Sequence, residues 1–142
     1  MVVTGYPSFD TTVDKTNHLL REIERAYGWP KERRNQSYAA LRSVLHTVRD
    51  RLTVDEAAHV AAQLPMLVRG IYYEGWDPSR VPDKTSREEF LRRVREGFPY
   101  DVKGGVEPLT RTVMGLLREY ITEGEWQDIR ESIPRELRSL FP

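Results

Sequence analysis

Glu56-x-x-His59 is the sharpest chemical pattern in the chain. Glutamate and histidine three positions apart lie on one face of a helix, and helical two-metal sites use that pair twice. A second pair, Glu125-x-x-Asp128, stands 69 positions further on, so two such pairs facing each other would place oxygen and nitrogen ligands around one point. The competing reading assigns both glutamates to helix capping, with Thr53 and Thr122 as the caps three residues upstream. The two additional helix glutamates that a two-metal site needs are not evident, so Glu56 and His59 are metal candidates and no metal or other cofactor is expected. His46 and His18, with His59, are the groups able to exchange a proton near neutral pH. His46 flanks the apolar residue Leu45 and has Asp50 one turn later, but no serine or cysteine is spaced beside it as a nucleophile. A structural histidine is therefore expected.

Four arginines, Arg49, Arg69, Arg118 and Arg138, stand beside apolar positions. Guanidinium binds carboxylate or phosphate through two parallel hydrogen bonds, so they could clamp such a ligand. The alternative is that they cross-link helices through partners such as Glu56 and Glu125. The segment Tyr72-Tyr73-Glu74-Gly75-Trp76 brings three aromatics to one connection. Such residues either cover a joint or form an interface, where tyrosine and tryptophan are favoured anchors. Tyr72, Tyr73, Trp76, Arg69 and His46 are accordingly the interaction candidates.

The elements that must position these groups are helices. Leu19, Leu20 and Ile23 share one helical face, ending near Gly28 and Pro30, with the first ten residues read as an irregular lead-in. Leu41, Val44, Leu45, Val48 and Leu52 form one stripe of a helix over about 36–51. Thr53 and Glu56 make a capping box for the next helix, and Pro65 suits the first turn of a fourth. Residues 74–85, with Gly75, Pro78 and Pro82, read as a linker. Ser86 to Glu89 is a second capping box, opening a helix that Gly97 and Pro99 close. Beyond Gly104-Gly105 a long amphipathic helix and two short ones complete the chain.

One register shift of 69 pairs Arg42 with Arg111, Val44 with Val113, Arg49 with Arg118, and Thr53 with Thr122. The same shift pairs Glu56 with Glu125, Pro65 with Pro134, Arg69 with Arg138, and Gly28 with Gly97. A cap, a proline and an apolar stripe repeating in one register mark a duplication. The expectation is an all-α helical bundle of about eight helices in a single domain over 1–142. It would be built from two pseudo-two-fold-related four-helix repeats, about 17–73 and 86–142, around a shared core.

The runs Val44-Leu45-His46, Arg49-Asp50-Arg51-Leu52, Glu56-Ala57-Ala58-His59 and Gln63-Leu64-Pro65 resemble a bacterial family, domain-of-unknown-function family 2267. The run from Arg69 through Tyr72-Tyr73 and Trp76 to Pro78 is also similar to its pattern. The resemblance covers roughly residues 17–142 and is specific over 44–78. It implies a short helical protein with two related halves and supplies no activity.

Composition bounds the rest. Twenty-two basic residues balance 22 acidic ones, and residues 1–78 hold ten of each, so the basic excess of a nucleic-acid or anionic-lipid binder is missing. There is no cysteine, which excludes disulfides and thiol chemistry. No apolar run approaches the roughly 20 residues that span a bilayer. These features lead to the expectation of a cytoplasmic, non-enzymatic interaction module that binds a protein partner or itself, with no membrane or nucleic acid. The rival classes are a helical metal protein or enzyme around Glu56 and His59, and a small-ligand or nucleic-acid binder at the seam between repeats.

Overall fold

Leu41, Val44, Leu45 and Leu52 of the longest apolar stripe all have 2% exposure or less in the computed structural model, which describes residues 3–142. Their helix is the centre of the fold. The described residues form seven α-helices: α1 Pro7–Tyr27, α2 Arg34–Arg51, α3 Val54–Gln63, α4 Met66–Tyr73, α5 Arg87–Gly97, α6 Val106–Leu117 and α7 Glu123–Ser132. A 3-10 helix, Arg135–Leu140, ends the chain, and short 3-10 turns occupy Lys31–Arg33, Pro78–Arg80 and Arg118–Tyr120. No strand occurs among the described residues, and the molecule is an all-helical bundle.

The order of packing interleaves the two ends of the chain. α1 rests on α2, α4 and α6, while α5 rests on α2 and α6, and α3 meets α7. One apolar core results, with side chains from both halves. At its centre Leu45, Val60, Met114, Leu117 and Trp126 surround a void of about 20 Å³ with no polar lining. Lined this way it offers water no hydrogen-bond partner and stays dry.

Local chemistry explains the ends of the elements. The Thr53 hydroxyl accepts the Glu56 N–H at 3.2 Å, and the Glu56 carboxylate accepts the Thr53 N–H at 2.9 Å, completing the capping box. At Thr122 the hydroxyl accepts the Glu125 N–H at 3.3 Å, but the Thr122 N–H goes to Gln63 and not back to Glu125. At Ser86 only the hydroxyl's half of the box forms, because the Glu89 carboxylate pairs with Arg92 instead. Pro65 stands at the residue before α4 rather than within its first turn, and Pro134 has nearly the same backbone angles before the last helix (φ −55°, ψ 147° against φ −58°, ψ 148°).

The lead-in is a correction. α1 begins at Pro7, whose fixed φ suits a first helical turn, and not after residue ten. The buried face of this stretch is made of Thr12 and Thr16, so no apolar periodicity announces it. The Thr11 and Thr16 hydroxyls donate to carbonyls one turn back at 2.9 and 2.8 Å. Thr12 Oγ1 accepts the Leu67 N–H at 2.8 Å, satisfying a free donor in the first turn of α4.

Gly28 and Gly97, 69 positions apart, are needed for different reasons. Gly28 ends α1 in the left-handed region at φ +64° and donates to Arg25, while Trp29 donates to Glu24. Gly97 sits where α5 crosses α2: a Cβ there would lie 2.6 Å from Ser43 Cβ and 3.3 Å from Ser43 Cα. Gly97→Ala should therefore cost about 1–3 kcal/mol through overpacking. Adding Ser43→Gly should recover part of that loss, so denaturant midpoints of the two single variants and the double variant should deviate from additivity.

Candidate functional site

α3 and α7 carry the two acidic pairs and run antiparallel, since Gln63 at the end of α3 accepts the Thr122 N–H at 2.7 Å while Glu56 at its start meets Ser132. This seam is where the expected ligand pairs come closest. His59 Nδ1 lies 3.8 Å from Glu125 Oε1, with the histidine two-thirds exposed. Glu56 faces the opposite way along the seam. Burial raises its pKa, but hydrogen bonds from Ser132 and Thr53 and the nearby charge of Arg51 outweigh that and hold the carboxyl below its ordinary value. Its oxygens are thus committed to capping. Glu56 and His59 do not converge on one point, and no group of three or more His, Asp or Glu able to hold a metal ion occurs among the described residues.

The arginines keep part of their expected salt-bridge role, Arg49 pairing with Asp50 and Arg118 with Glu123. Arg49 is 4% exposed; its Nη1 donates to the Tyr72 and Glu74 carbonyls at 2.9 and 2.7 Å, and its Nε to Asp50 at 2.9 Å. Arg69 Nε donates to the Ala61 carbonyl at 2.7 Å and Nη2 to the Leu64 carbonyl at 3.0 Å. At the equivalent place Arg138 Nε donates to the Arg130 carbonyl at 2.8 Å. Arg118 donates to the Pro142 carbonyl and to Glu123. Neither Glu56 nor Glu125 is their partner. Each of the four bridges to backbone carbonyls, several of them the free acceptors that a helix leaves at its C-terminal end. Bound in this way, they do not form a ligand clamp.

His46 Nε2 donates to the Ile71 carbonyl at 2.7 Å, so α2 is tied to α4 through the ring rather than to Asp50. Burial is the main cause lowering its pKa, helped by Arg49 and Arg42 and opposed by the Ile71 bond and Asp50. The fold therefore favours the neutral ring. Its contribution to stability is full above the unfolded value of 6.5 and is lost as pH falls through that value to the lower folded one. His46→Gln, whose amide still reaches the carbonyl, should flatten this dependence: the urea midpoint difference between about pH 8 and pH 5 should shrink relative to the parent.

The aromatic segment splits. Tyr72 is fully buried, its hydroxyl donating to the Ala57 carbonyl at 3.0 Å, so it is a core residue and offers nothing to a partner. Tyr73 and Trp76 are half-buried, 5.2 Å apart between ring centres, and pack against the core. Trp126 is 1% exposed, deeper than a partly buried packing residue; its indole N–H donates to the Pro142 carbonyl at 2.9 Å. Trp29 stacks on Tyr27 and Phe98 with centres 5.1 and 6.0 Å apart, beneath the guanidinium of Arg33.

One group escaped the sequence reading. Arg51, the last residue of α2, is 9% exposed, and its Nε has no hydrogen-bond partner. It borders an open groove of about 590 Å³ with Thr53, Glu56, Lys84 and Ser132. The repeat gives no signal for it, because its equivalent is Tyr120. The linker passes close by, its Asp83 N–H donating to the Asp50 carbonyl at 2.7 Å.

The fold and seam thus define a small helical-bundle protein whose polar residues mostly fasten helices to one another. Residues 16–140 match the family described as uncharacterized conserved protein (DUF2267), and the chain belongs to that family. No curated protein matches the chain. Among the described residues no helix is long and apolar enough to cross a membrane.

Proposed function

We propose that the protein is a non-enzymatic interaction module of the cytoplasm that binds a protein surface, either a second copy of itself or another chain. The observation carrying this reading is a cluster of exposed apolar side chains where α1 and α4 begin. Tyr6, Phe9, Met66 and Leu67 are 65%, 50%, 48% and 40% exposed. The Tyr6 and Phe9 rings meet edge to face with centres 5.5 Å apart. Leu67 is fastened through its N–H to Thr12, the next turn along the same face from Phe9. Isolated exposed apolar residues are ordinary, whereas a group of them including aromatics is what protein interfaces are made from. Tyr73 and Trp76, packed on the core, cover the joint in this reading.

The charges support a protein partner over nucleic acid. Of the short basic pairs, Arg92 pairs with Glu89 and Glu96, and Arg93 with Asp83. The test is molar mass by light scattering over a range of concentrations. The self-associating form should exceed the monomer, and the double variant Phe9→Asp/Leu67→Asp should return to monomer with little change in melting temperature, as exposed substitutions do. Equal masses for parent and variant at every concentration would remove self-association.

A further inference from the structure

Arg49 and Arg51, two residues apart at the end of α2, are both buried, yet their charges are treated differently. Arg49 is satisfied by two carbonyls and a carboxylate. Arg51 enters no ion pair among the described residues, and its Nε is orphaned. The nearest carboxylate, Glu56, has its oxygens engaged by the Thr53 N–H and by hydroxyls, and reaches Arg51 only as a charge through space. A buried N–H left without a partner is costly, and a guanidinium with an unused donor beside an open groove can take an anion from outside the chain.

The groove beside it fits one. Lys84, exposed on the linker and also outside every ion pair among the described residues, supplies a second cation. Thr53 and Ser132 line it with hydroxyls already engaged by the Glu56 N–H and the Ile129 carbonyl, while Pro82, Ile133 and Pro134 form an apolar wall. About 590 Å³ lies within the range of small-molecule sites and is far more than a bare ion fills. We propose that this groove, where the linker crosses the seam between the halves, binds a small phosphate monoester. Arg51 and Lys84 hold the dianionic phosphate, and the apolar wall faces the organic part. These two cations outnumber the one carboxylate of the groove, Glu56, which is already engaged by Thr53, and guanidinium takes two phosphate oxygens at once.

The test uses phenyl phosphate, inorganic phosphate and benzoate at matched ionic strength, read by amide chemical shifts of the labelled protein and by melting temperature. Phenyl phosphate should give saturable shifts at Thr53, Lys84 and Ser132 and raise the melting temperature as a ligand of the folded state does. Inorganic phosphate should bind at the same amides more weakly. Arg51→Met should weaken phenyl phosphate binding by about tenfold or more, and Lys84→Gln by a few-fold. Without ligand, Arg51→Met should melt close to the parent temperature, because the loss of an unpartnered buried donor offsets the lost attraction to Glu56. Lys84→Gln, altered only at an exposed side chain, keeps the test open should Arg51→Met fold poorly. Shifts that do not saturate, or that persist unchanged in both variants, would overturn the proposal. Benzoate binding as tightly as phenyl phosphate would overturn the dianion assignment.

Discussion

Arg49→Met is expected to lower stability by roughly 3–5 kcal/mol, the scale seen when one partner of a buried charged network is removed. The methionine keeps much of the bulk and deletes the donors. Two carbonyls at the end of α4 and the Asp50 carboxylate, itself one-third exposed, are then left unpaired. For a chain of this size that corresponds to a fall in melting temperature of roughly 10 °C or more. Arg118→Met is the control, because it deletes an arginine 69 positions further on at a site 40% exposed. There water replaces the lost partners, and the cost should stay within about 1 kcal/mol. Thermal and urea unfolding of both variants measures the comparison. Equal losses at the two sites would mean that burial does not set the worth of these arginines.

Trp126→Ala should be as damaging, at about 3–5 kcal/mol. The indole is 1% exposed, faces Phe141 with ring centres 6.2 Å apart, and lines the void at the middle of the core. Truncation would join a new cavity to that void, in a place where side chains from both halves meet. Trp126→Phe separates the contributions: it retains most of the apolar area and removes the N–H donated to the Pro142 carbonyl. Its cost should be nearer 1–2 kcal/mol, that of a lost buried hydrogen bond with modest underpacking. Denaturant midpoints at constant m-value are the measurement.

These sites also show what sequence patterns carry. Capping at Thr53 and Thr122, the α2 stripe and the Pro65 and Pro134 breaks depend on residues within one or two turns, and all were legible. The first ten residues of α1 were not, because threonine hydroxyls can be satisfied by carbonyls one turn back and then buried like apolar groups. Glu56 and His59 were legible as a spacing. Whether they share a ligand depends on how α3 and α7 slide past each other, and the register here sends His59 toward Glu125 and Glu56 toward Ser132. The arginines' partners were misjudged for a related reason: backbone carbonyls carry no side-chain letter. Arg51 was invisible because the groove around it is assembled from residues distant in sequence, Lys84 and Ser132 among them.

The packing of α1 on α6 sets a condition on synthesis. A ribosome releases the chain from its N-terminus, and α1 is complete at Tyr27, whereas α6 ends at Leu117. At 5–20 residues per second this interval of about 90 residues lasts roughly 5–20 s. Throughout it Leu19 and Ile23, 2% and 0% exposed once folding is complete, have only part of their final cover. The native bundle can therefore close only late in translation, once α6 has emerged to pack on α1.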